Sequence, residues 1–119
     1  MDLETNWIEA TEEQLLGNSL SGKGEEAAVN LLELVSDNPD GAVAVILQII
    51  EHQPSERVLN CLGAGPIENL LVKYPEYLEK LIATVPDPSA LKKCLLHVNT
   101  DPEDGLDTNL LKKFLDTTP

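Results

Sequence analysis

The stretch Asn38-Pro39-Asp40-Gly41-Ala42-Val43-Ala44-Val45-Ile46-Leu47-Gln48-Ile49-Ile50-Glu51-His52 is the most apolar part of the chain. Its reading decides the fold, because the β-branched run AVAVILQII fits a buried strand as well as a buried helix. Read as a helix, Ala42, Val45, Ile46 and Ile49 recur at spacings of three and four, with Val43, Leu47 and Ile50 beside them. Asn38 is a favoured N-cap. Pro39 suits the first helical position, where its missing N–H would have had no partner anyway. The segment is also long for a strand. Helix is therefore the favoured reading and strand the minor one. A helix that is apolar on more than one face belongs at the centre of a fold.

The same punctuation recurs outward from this segment. Gly65-Pro66, Asp87-Pro88 and Asp101-Pro102 repeat the pairing of cap and proline, and Tyr74-Pro75 starts a helix without a polar cap. Towards the N-terminus, Glu25 to Ser36 reads as a helix with Ala28, Leu31, Leu32 and Val35 on one face. Glu25 and Glu26 lie at its positive end. Before it, Asn18 to Gly24 (NSLSGKG) reads as a loop. Asp2 to Leu16 reads as an amphipathic helix carrying Trp7, Ile8, Leu15 and Leu16 and stopped at Gly17. Towards the C-terminus, short helices are expected from Ser55 to Leu62, Pro66 to Lys73, Pro75 to Val85 and Pro88 to Val98. A polar loop (Asn99 to Gly105) leads to a last helix with Leu106, Leu110, Leu111 and Phe114, and Thr117 to Pro119 is a frayed tail.

The expected architecture is all-α: about seven to eight short helices, antiparallel or orthogonal, in a compact bundle or an irregular HEAT-like stack. A chain of 119 residues fits one domain, 1–119. Within it, 1–18 forms the N-terminal amphipathic helix, 25–98 the core and 99–116 the C-terminal helix. The apolar share, 42%, comes mainly from aliphatic residues, since the aromatics are Trp7, Tyr74, Tyr77 and Phe114.

Eight basic against 21 acidic residues give a net charge of −13. Such a field repels nucleic acids and anionic membrane surfaces, whose binding depends on Lys and Arg. It favours a basic protein partner by electrostatic steering, although solubility alone accounts for the same charge. The acidic doublets Glu12-Glu13 and Glu25-Glu26 are the candidate partner surface. No N-terminal run has the character of a secretory signal, and no segment has the length of a membrane span, so the cytoplasm is the expected compartment.

Chemistry has little foothold. Cys61 and Cys94 lie inside apolar helical patterns and form no C-x-x-C pair, so packing is the expected role of both. His52 and His97 fall at the ends of two expected helices, where they would cap last-turn carbonyls; no H-E-x-x-H or E-x-x-H motif accompanies them. Cys94 and His97 are three apart, near enough for a thiolate–imidazole pair, but Cys94 sits on an apolar stripe. Asp101 to Asp107 (DPEDGLD) lacks EF-hand spacing and its terminal Glu. No catalytic residue, metal ligand or cofactor is assigned. The expected function is a non-enzymatic protein-binding or accessory domain, with an immunity- or antitoxin-like role as one concrete form. The alternative is a small metal-dependent or hydrolytic enzyme using Glu68 with His52 and His97.

One segment stands apart: Leu62-Gly63-Ala64-Gly65-Pro66-Ile67-Glu68-Asn69-Leu70-Leu71. Gly63 and Gly65 permit a sharp turn and a close backbone approach. Gly65 reads as an N-cap, Pro66 as the first helical residue and Glu68 as the third, reaching back to free N–H groups. With Asn38-Pro39-Asp40-Gly41-Ala42, Val45-Ile46-Leu47 and Val58-Leu59 before it, the segment resembles a family of small bacterial helical proteins. That family carries a D-P-x-x-A-W-x-x-I-L helix, then an A-A-G-P-L-E-D-L-L signature, then a D-P-x-F-x-x-x-L helix, met here in altered form at Asp87-Pro88-Ser89-Ala90-Leu91 with Leu95. The resemblance spans roughly Trp7 to Val98. Val43 stands where the family has tryptophan, and Asn69 where it has an acidic residue. The resemblance implies a helical fold and a domain of unknown function. It makes Gly63, Gly65, Pro66, Glu68, Leu70 and Leu71 structural signature residues.

Overall fold

Asn38 caps the central helix as its sequence dictates. Its Oδ1 accepts the Gly41 N–H at 3.1 Å, and Pro39 takes the first helical position. A computed structural model describes residues 3–17, 23–98 and 105–116. Its helices are α1 (Leu3–Leu15), α2 (Lys23–Asp37), α3 (Pro39–Glu51), α4 (Glu56–Leu62), α5 (Glu68–Lys73), α6 (Tyr77–Thr84), α7 (Pro88–Leu95) and α8 (Thr108–Asp116). A π-helical turn, Gly63–Ile67, joins α4 to α5. The described residues contain no strand, so AVAVILQII is helical. Ala42, Val43, Ile46, Ile49 and Ile50 of α3 are all buried, which places this helix in the core.

α1 lies mainly along α2 and also meets α3 and α4, while α4 packs on α7, and α6 and α7 carry α8. Gly17 closes α1 in the left-handed conformation, φ +87°, as a glycine after a helix should. Ser55 caps α4 through the Val58 N–H (3.3 Å) and Asp87 caps α7 through the Ala90 N–H (3.3 Å). α8 is capped by Asp107, whose carboxylate accepts the Leu110 N–H at 2.9 Å. The expected cap at Asp101-Pro102 and the loops and tail expected over 18–22, 99–104 and 117–119 lie outside the described residues. Lys23 and Gly24, expected in a loop, begin α2.

The main departure is at Gly65-Pro66. A glycine–proline pair signals a break, yet the chain runs on helically from Glu56 to Lys73. Proline inside an α-helix removes one N–H and drives its ring into the carbonyl four residues earlier. Widening to π geometry relieves this: the Glu68 N–H reaches back to the Gly63 carbonyl, five residues away. Gly65 is therefore no cap, Pro66 no helix start, and Glu68 not a third helical residue serving free N–H groups. Gly65 fits because a Cβ on a helical residue before proline would clash with the proline ring. Gly63 fits for a different reason. A Cβ there would lie 1.8 Å from the Cys94 carbonyl oxygen and 2.9 Å from its Cα, so the rod meets α7 backbone to backbone. Leu62, Ile67, Leu70 and Leu71 are fully buried around this contact.

Two expected stripes shift. On α2 the buried residues are Ala27, Leu31 and Val35, whereas Leu32 is 43% exposed and Ala28 half-buried. On α1 they are Glu4, Trp7, Ala10 and Thr11, whereas Leu16 is exposed. The Thr11 hydroxyl is satisfied by donating to the Trp7 carbonyl at 2.8 Å.

A polar clasp fixes the α2–α3 corner to α5 and α6. The Lys73 ammonium donates to Ser36 Oγ at 2.7 Å and the Tyr74 hydroxyl to the Ser36 carbonyl at 2.8 Å. Both bonds serve the C-terminal end of α2, where a cation is favoured. The Tyr77 hydroxyl (3.1 Å) and the Lys80 ammonium both donate to Asp40 at the start of α3.

Candidate functional site

Glu4, Trp7 and Thr11 recur at helical spacing, so the face of α1 that packs inward carries a carboxylate at its first turn. Glu4 is only 9% exposed. It lines a depression of about 300 Å³ with Gln48, Glu51 and His52 at the end of α3. A second cleft, of about 390 Å³, is lined by Thr5, Ile8, Glu9 and Glu12 of α1 and by His52, Gln53, Pro54 and Ser55 of the following turn. His52 is common to both, so they form one acid-lined region where α1 passes the C-terminal end of α3.

The shape of this region follows from how α3 stops. The His52 backbone N–H bonds the Gln48 and Ile49 carbonyls, each at 3.2 Å. Gln53 then takes a left-handed conformation, φ +52°, uncommon for a residue with a side chain, and Pro54 prevents any resumption. The end of α3 thus turns its last carbonyls, the negative pole of the helix, towards the same region as four glutamates.

Charge is segregated in the same sense. Residues 1–56 hold twelve acidic residues and a single basic one, Lys23, while residues 57–119 hold nine acidic and seven basic. Glu12, Glu13, Glu25 and Glu26, the expected partner surface, are all exposed on the last turn of α1 and the first turn of α2. Of these, Glu12 lines the cleft. Sequence reading missed Glu4, Glu9 and Glu51; the available signal was the placement of Glu4 in phase with Trp7.

The other expected residues do not gather. His97 is exposed beyond α7, with its backbone N–H on the Cys94 carbonyl at 3.1 Å, and it lines neither cleft. Both histidines thus end their helices through backbone N–H groups. Glu68 is half-buried on α5 and also lies outside both clefts. Among the described residues, no three His, Cys, Asp or Glu side chains are placed to hold a metal ion. Cys94 is fully buried, and desolvation pushes its thiol up to about 12. Beside an exposed His97, that thiol is poorly placed to act as a nucleophile. Both cysteines are free. Asp40 is held below its ordinary value by the hydrogen bonds from Lys80 and Tyr77, and Lys80 is raised by the same bond to Asp40. That cluster is a structural clasp.

The chain belongs to a family of unknown function (DUF6869), which matches residues 23–102, from α2 through α7. α1, which supplies Glu4, Glu9 and Glu12, lies before the matched region. Neither the curated proteins nor the solved structures yield a match. No helix among the described residues is long and apolar enough to cross a membrane.

Proposed function

We propose that this domain is a non-enzymatic binding module that docks a basic protein segment in the acid-lined cleft between α1 and the end of α3. One observation carries the reading. Glu4, Glu9, Glu12 and Glu51 converge around His52 from helices far apart in sequence, in the half of the chain that has almost no basic residues. A solvating charge requires only that carboxylates be exposed, and does not require a concave surface lined by them. Field lines focus in such a cleft, and the α3 terminus adds to the same sign. Neutralising a basic partner, as an immunity protein or antitoxin does, is the concrete form we favour, in a reducing cytoplasm compatible with two free cysteines.

The test is site-directed photocrosslinking in host cells, with the crosslinker at Glu9 or, as control, at exposed Lys112 on α8. The expected result is a basic protein captured from position 9, not from 112, and lost when Glu12→Lys and Glu51→Lys are introduced. Capture of only acidic proteins, or equal capture from both positions, refutes the reading.

A further inference from the structure

The depression beneath His52 has a feature that general acidity does not explain. Glu4 is nine-tenths buried, yet its carboxylate has no hydrogen-bond or ion-pair partner among the described residues. No side-chain oxygen or nitrogen among those residues is sealed from solvent without a partner. The Glu4 carboxylate therefore reaches the surface, and it does so through the cleft it lines. Helix formation alone would be served equally well by a fully exposed acid in the first turn, and a carboxylate without a donor keeps its acceptor sites open to a ligand.

We propose that this depression is the anchor pocket for one arginine side chain of the basic partner, with Glu4 as its inner acceptor and Glu51 and the Gln48 side-chain carbonyl as its outer ones. The proposal rests on the binding function argued above and specifies its recognition chemistry. The depression, about 300 Å³ and open to solvent, has room for a single long side chain. The acceptors come from two elements, the first turn of α1 and the last turns of α3. A planar guanidinium with five N–H donors can bridge such a set, whereas an ammonium presents a compact point charge. The side chains lining the pocket are not placed to hold a metal ion, so an extended organic cation fits better. The lining includes no Lys or Arg, so an incoming cation meets no lysine or arginine charge on the wall.

The experiment uses the full chain, 15N-labelled, titrated with three 15-residue peptides of otherwise identical sequence: one with four arginines, one with lysine at those sites and one with citrulline. The arginine peptide is expected to shift the amides of residues 3–8 and 48–54 and to bind at least threefold more tightly than the lysine peptide; citrulline is expected not to bind. Glu4→Gln should weaken the arginine peptide at least tenfold and erase its preference over lysine. Glu51→Gln, at an exposed site, should weaken it about threefold. Glu79→Gln, at an exposed site on α6 away from the pocket, should do neither. Thermal melts establish that each variant is folded, and Glu51→Gln carries the test if Glu4→Gln unfolds. If the arginine peptide binds the cleft but neither Glu4→Gln nor Glu51→Gln alters its affinity or selectivity, the anchor is refuted while the binding module stands. Equal affinity for arginine and lysine also refutes the anchor. If no cationic peptide binds, both readings fall.

Discussion

Substituting Gly63 by alanine tests the π-turn packing directly. Gly63 has ordinary helical dihedrals (φ −67°, ψ −46°), so on backbone grounds alone alanine should stabilise the rod by about 1 kcal/mol. The contact with α7 reverses that sign. The new Cβ would stand 1.8 Å from the Cys94 carbonyl oxygen and 2.6 Å from its carbonyl carbon, where ordinary contacts begin near 3.4 Å. Both partners are backbone atoms, so no rotamer change relieves the clash, and α7 must move by about 1.5 Å. Leu91, Cys94 and Leu95, all buried, would lose their fit. Overpacking ordinarily costs about 1–3 kcal/mol; a clash this deep against backbone lies above that range, at about 3–4 kcal/mol, so a net loss of about 2–3 kcal/mol is expected after the propensity gain. For a chain of this length that lowers Tm by roughly 6–15 °C. Urea denaturation and differential scanning calorimetry read it. Gly65→Ala is the matched control. Nothing lies within 4 Å of a Cβ there, and the propensity gain opposes only the clash with Pro66, so the change stays within about 1 kcal/mol. Truncating Cys94 to alanine should not rescue Gly63→Ala, because the obstacle is its backbone. A Gly63→Ala protein that melts at or above the wild-type temperature would refute the backbone-to-backbone packing.

Other expectations concern caps, thiols and the clasp. Asn38→Ala and Asp87→Ala each remove a side-chain acceptor for a helix N-terminal N–H and should each cost about 1 kcal/mol in urea titrations, additively because they cap different helices. A thiol reagent at pH 8 should modify one equivalent of native protein rapidly, at half-buried Cys61. The second, at Cys94, should react only on unfolding; two rapid equivalents would contradict the burial that holds its thiol near 12. Because the Asp40 carboxyl is lowered in the fold, its contribution is present at neutral pH and is lost as pH falls through its depressed value. The Lys80 contribution is complete below the ordinary lysine range and is lost as pH rises through its raised value. Asp40→Asn should flatten both limbs of the stability–pH curve, and high salt should mute the difference, since both groups are exposed.

How much of this was legible in the sequence depends on whether the deciding contact was local. Asn38-Pro39 and Asp87-Pro88 are complete signals, because cap and helix lie within four residues, and both helices begin where they should. Gly65-Pro66 carries the same local signal and gives the wrong boundary. There the deciding partner is Cys94, about thirty residues on, which holds the rod in place while a π turn absorbs the proline. On α2, Ala27 and Ala28 leave the phase of the helix open, and only packing against α1 and α3 selects the Ala27–Leu31–Val35 face. The acidic doublets are conspicuous in the sequence, but the cleft takes only Glu12 from them. Its other carboxylates, Glu4, Glu9 and Glu51, are singletons brought together by the packing of α1 on α3.

That distinction separates the family core from the cleft. The matched region, residues 23–102, contains α3, α4, α5 and α7 with the Gly63 contact to Cys94, while Trp7 of α1 and Leu106 before α8 add to the same core. The cleft has one wall inside that region, the end of α3, and one outside it, α1. The inner wall alone offers Glu51, His52 and the α3 carbonyls, an exposed and weakly cationophilic helix end. α1 converts it into a concave site by adding Glu4, Glu9 and Glu12. Trp7, Ala10 and Thr11 anchor α1 to the core on the same face as Glu4, so the orientation that buries the tryptophan also sets the carboxylate into the pocket. On the proposed function, stability and recognition are therefore coupled through a single helix face. Loss of Trp7 packing would misplace Glu4 as well as weaken the fold, whereas changes at Glu9 or Glu12, on the exposed side, alter the charge of the cleft and leave the core intact.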